Sequence, residues 1–154
     1  MYFWRINTLK QLLIENGLSE NSAFKYMLWY TGLAAVGIEI ISYMPLELVN
    51  NWDYLDSILA VIIPLIGTVF AYKLNGSDAG KDFLARYISI SFVMVIRYVL
   101  YLVPVIIVLT IYYISVLEVD EEIYTSPVEI VVFSVWYIAL YYSIAKHIND
   151  VAKA

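Results

Sequence analysis

The sequence predicts an all-α integral membrane protein: a bundle of four transmembrane helices behind a short N-terminal amphipathic helix, with both termini cytoplasmic. Three observations predict it. Apolar residues make up 62% of the 154-residue chain and charged ones 15%, against about 45–50% and about 25% in soluble domains. A chain this short cannot bury that apolar fraction in water without leaving extended apolar patches outside. The apolar residues gather into four stretches, each near the ~20 residues that cross a bilayer core. The basic residues fall almost wholly on one side of those stretches.

The same composition excludes other classes. High apolar content and a net charge of −5 argue against disorder and against a nucleic-acid partner. The absence of cysteine removes disulfides, thiolate metal sites and cysteine nucleophiles. His147 is the only histidine, which leaves no bis-histidine haem site and no metal cage. Neither a cofactor nor a metal is therefore expected. GxSxG, HExxH, Walker A and dinucleotide fingerprints are absent, and the chain reads as non-enzymatic.

The elements follow in order, within a single membrane domain over 1–154. Glu15, Glu20 and several amides interrupt the first 23 residues, which do not read as a signal peptide. Thr8 and Gln11 form a capping-box pattern, and Gly17 stands where a helix would end. Between them, 9–16 is expected as a helix whose Leu9, Leu12 and Leu13 lie in the headgroup layer. The first span is 24–44, interrupted by Glu39 and closed by Pro45. The second is 54–74, where Ala60, Pro64, Gly67 and Ala71 make one smooth face suited to helix packing. Asn75-Gly76-Ser77 turns the chain.

The third stretch, 83–117, is too long for a simple span. One reading is a single tilted helix kinked near Pro104. The other is an interfacial helix over 77–96 followed by a span over 98–117. The fourth span, 127–147, begins with Ser126 as N-cap, Pro127 at the first helical position and Glu129 reaching back.

Orientation comes from the bases. Arg5, Lys10, Lys25, Lys73, Lys81, Arg86, Lys146 and Lys153 lie on one side, and Arg97 lies within the third span. The loops 45–53 and 118–127 contain no Lys or Arg. The positive-inside rule then makes both termini cytoplasmic in a multi-pass plasma-membrane protein, a bacterial inner membrane being the expected setting.

Glu39 and Arg97 are the candidate intramembrane polar pair. Ionisable groups within a span usually face protein or water and pair with one another. Counted from Lys25 and Asp82, the two reach similar height. Ser42, Ser89, Tyr98 and Tyr101 are candidates for a polar seam beside them. The plainer reading of Glu39 is a packed glutamate that fixes helix register. At the outer side Glu47, Asp53, Asp56, Glu118, Asp120, Glu121, Glu122 and Glu129 form an acidic surface without a base. Such a surface attracts cations or a basic partner, or is simply what remains where the topology rule removes bases.

The expected partners are the lipid bilayer and either another membrane protein or a second copy of the chain. The expected function is contact within the membrane, as an accessory, immunity or exclusion-type factor. The alternative is a homo-oligomeric ion- or proton-conducting pore using Glu39 and Arg97.

Overall fold

The computed structural model describes residues 2–42, 50–116 and 125–154, with side chains up to 39 in the first segment. Among the described residues the chain is helical and has no strand. The elements are α1 (Ile6–Glu15), α2 (Glu20–Ser42), α3 (Asn51–Leu74), a 3₁₀ turn (Ser77–Ala79), α4 (Phe83–Val116) and α5 (Pro127–Ala152). Three helices, α3, α4 and α5, are long and apolar enough to cross a membrane. With 23 residues, α2 has the length, about 35 Å. Lys25, Tyr26, Trp29, Tyr30, Thr31 and Glu39 dilute its apolar character.

Contacts at the helix ends set the directions. Asn50 Nδ2 donates to the Thr125 carbonyl at 3.0 Å, and Thr125 Oγ1 donates to Asp53 at 2.5 Å. The starts of α3 and α5 therefore meet, and the two helices run parallel. Midway along them, a Cβ on Gly67 would lie 2.6 Å from Tyr141 Cβ, so the absent side chain is what lets α3 approach α5. The intervening α4 runs the other way: Tyr113, near its end, meets Ser126 at 2.5 Å, and Tyr98 meets Ser143 at 2.7 Å. The Tyr26 and Phe92 rings are 5.6 Å apart, and Gly17 stands beside Asp82. These contacts lay α2 parallel to α4, and successive long helices alternate in direction.

The core sits at the α1 end. Leu9, Tyr26, Ala71, Phe92, Val93, Ile144 and Ile148 are all buried there. Over 89–94 every residue of α4 is buried, which requires neighbours on all sides of a helix. Packing of α1, α2 and α5 against α4 supplies them. Beyond residue 98, α4 is largely exposed.

Two expectations are refined here. The N-terminal helix starts at Ile6, with Arg5 rather than Thr8 before it and no side-chain cap. Its apolar face of Ile6, Leu9 and Leu13 is buried in protein rather than facing a headgroup layer, because α1 packs on α4 and α5. The 34 residues of α4 form one continuous helix rather than an interfacial helix plus a span. Within its first half, 89–94 are enclosed by the other helices.

Local chemistry explains the ends. Gly17 adopts a positive φ of 67° after α1. Ser126 and Glu129 form the expected capping box, with Pro127 in the first turn. A second capping box, Asn50 with Asp53, starts α3 three residues earlier than residue 54. The far end of α5 extends past 147 because Ile148 and Val151 continue its buried face. Between α3 and α4, Asn75 is buried: its amide donates to the Lys81 carbonyl at 3.2 Å and accepts from Arg86 Nη1 at 3.1 Å. Gly80 fits there because a Cβ would collide with the Asn75 carbonyl oxygen.

Candidate functional site

The polar chemistry gathers in three places: the α1 end, the seams between helices, and the Asn50 end. At the α1 end, packing of α1 brings Trp4 and Lys10 against α4 and α5. The Arg97 guanidinium donates through Nη2 to the Trp4 carbonyl and lies 5.1 Å from the centre of the Trp4 ring. Such a cation–π contact is worth about 0.5–2 kcal/mol. Lys10 Nζ pairs with Asp150 Oδ2 at 2.8 Å, and His147 Nδ1 lies 3.7 Å from the same oxygen. Arg97 Nε and His147 Nδ1 are buried with no hydrogen-bond partner. Lys10, Lys146 and Arg97 all contribute to the field at His147, against Asp150. Asp150 is thus paired with Lys10 and faced by His147.

Arg97 and Glu39 are not brought together. The equal-depth count from Lys25 and Asp82 fails because Tyr26 lies level with Phe92. From that register, Glu39 comes about 12 Å beyond Arg97 along the bundle. Glu39 lies on the exposed side of α2.

The seam candidates divide. Tyr98 donates to the Ala139 carbonyl at 2.9 Å and meets Ser143 Oγ at 2.7 Å, which ties α4 to α5. Its ring packs edge-on against Trp136 and Tyr101. Ser89 serves its own helix, donating to the Ala85 carbonyl at 2.7 Å. The Ser42 side chain lies outside the described residues. Tyr101 lines an apolar groove of about 510 Å³ between α4 and α5, with Tyr98, Val105, Val132, Val135 and Trp136. A second seam joins α3 to α4 through Thr68 and Tyr87, whose hydroxyls are 2.7 Å apart. No sequence signal announces it, since a single hydroxyl on each helix makes no pattern.

At the Asn50 end, part of the acidic surface is engaged within the chain. Asp53 accepts from the Asn50 backbone at 2.6 Å and from Thr125, while Glu129 accepts from the Ser126 backbone at 3.2 Å. Both are helix-capping residues, a role visible for Glu129 from Ser126-Pro127 and missed for Asp53. Asp56 is half-buried on α3. Glu47, Glu118, Asp120, Glu121 and Glu122 lie outside the described residues.

Among the described residues no three His, Asp or Glu side chains converge where a metal ion would be held. No family model, curated protein or solved structure matches the chain.

Proposed function

We propose that the chain is a non-enzymatic, four-span protein of a plasma membrane of the bacterial inner-membrane type, with both termini cytoplasmic, acting through contacts with another membrane protein. One observation carries the preference for contact over conduction. Several polar groups within the long helices are engaged inside the chain, as in Tyr98 with Ser143, Thr68 with Tyr87 and Arg97 with Trp4. The surfaces of α3, α4 and α5 turned outward are apolar, with Ile66, Val108 and Val131 all more than 60% exposed. A conducting path needs a polar lining, whereas this surface suits lipid and neighbouring helices. Four spans are supported by the parallel run of α2 beside α4, with α3 and α5 reversed. The cytoplasmic placement of the termini is supported by the basic residues, which fall at the α1 end, Arg97 against Trp4 included.

Isolation from native membranes in mild detergent, followed by mass measurement, tests the reading. The expected product is one copy of the chain carrying a different membrane protein. A homo-oligomer larger than a dimer that conducts ions in planar bilayers would overturn it in favour of a pore.

A further inference from the structure

Arg97 occupies an unusual position on α4. Below it residues 89–94 of the helix are enclosed by protein, and above it the helix is largely exposed. From 98 to 116 the helix rises about 28 Å at 1.5 Å per residue, close to the ~30 Å of a bilayer core. Arg97 therefore stands at headgroup depth, where Trp4 beside it is also at home. Tyr101 and Val105 follow at i+4 and i+8 on the same stripe of the helix, and both line the groove between α4 and α5. The groove thus begins at Tyr98, the residue after Arg97 on α4.

We propose that this site binds an anionic phospholipid, with its phosphate against Arg97 and one acyl chain laid along the groove. The charge supports an anion: Lys10 takes Asp150, while Arg97 has no carboxylate within ion-pair distance among the described residues. Arg97 Nε is a buried polar atom with no hydrogen-bond partner, and such an atom is costly unless a ligand or water satisfies it. The groove above is lined almost wholly by carbon. It matches a hydrocarbon chain but offers nothing to a free phosphate. An apolar helix from a second copy would fill the groove and leave the cations unanswered. The inference rests on the chain crossing a bilayer, not on which protein it meets.

Native mass spectrometry of the purified chain tests it, comparing palmitoyl-oleoyl phosphatidylglycerol, the phosphatidylcholine of the same chains, and inorganic phosphate. One charge-assisted contact predicts about tenfold preference for phosphatidylglycerol over phosphatidylcholine. Arg97→Gln should remove the preference. Val135→Trp, at an exposed groove position, should remove lipid binding while helicity by circular dichroism stays unchanged. Equal binding of both lipids, or phosphatidylglycerol binding indifferent to both substitutions, overturns the proposal. So does stabilisation by inorganic phosphate that survives Val135→Trp, which would mark a free-anion site. A dimer abolished by Val135→Trp also overturns it and gives the groove to a second copy. None of these outcomes reads the partner protein, so this proposal and the contact reading fail separately.

Discussion

Tyr98 is where α4 and α5 are fastened inside the bundle. Its hydroxyl reaches both the Ala139 carbonyl and Ser143 Oγ, and its ring is held edge-on by Trp136. Interhelical hydrogen bonds in membrane proteins contribute about 0.6 kcal/mol on average and up to about 1.7. Tyr98→Phe keeps the ring and removes both bonds, so thermal unfolding in detergent should register a loss of about 1 kcal/mol. A melting midpoint equal to wild type would mean that the hydroxyl is not engaged. Residues like Tyr98 were half legible in the sequence. A tyrosine deep in a span asks for a polar neighbour, but Ser143 lies 45 positions away and only the packing of two helices names it. Gly67 and Ala71 were more legible, because small residues repeated at helical spacing mark a close approach wherever they occur. The height of Arg97 relative to Glu39 was not legible, for a geometric reason. Depth counted along each helix is only as good as the assumed starting level, and α2 starts lower than Lys25 suggested.

Among the elements, α1 carries the sharpest distinction. An amphipathic face of Ile6, Leu9 and Leu13 reads identically whether it lies on lipid or on protein, so sequence identified the helix but not its destination. Burial decides it: Leu9 is 0% exposed and Leu13 3%. A leucine packed in protein costs about 2–5 kcal/mol when cut to alanine, whereas one resting on headgroups changes membrane adsorption and leaves folding stability nearly untouched. Leu9→Ala should therefore lower the unfolding midpoint sharply in detergent. Leu84→Ala, at a side chain 71% exposed, should stay within about 0.5 kcal/mol of wild type. Equal small effects at both sites would put α1 back on the membrane surface. The start of α5 shows the opposite case. Ser126, Pro127 and Glu129 act within one turn of each other, so local chemistry alone fixed that boundary. The long α4 was ambiguous because its division depends on what surrounds 83–97, and no local signal reports that.

Taken whole, the molecule has two halves: an α1 end where the helices enclose a core around 89–94 of α4, and an opposite half where they turn apolar surfaces outward. Composition and the bias of the bases were enough to read a helical membrane protein. The number of crossings is harder, because α2 combines sufficient length with Lys25, Glu39 and several aromatic residues. Its parallel run beside α4, with α3 and α5 reversed, is the arrangement expected if all four cross. The chain contains no cysteine, so single-cysteine labelling with a membrane-impermeant maleimide needs no change of background. Ser19→Cys, Ala79→Cys and Ala154→Cys, all at exposed positions, should stay unlabelled in intact cells and react in inverted vesicles, while Asn51→Cys should react from outside. Labelling of Ser19→Cys and Asn51→Cys on the same side would leave α2 uncrossed and contradict the four-span bundle.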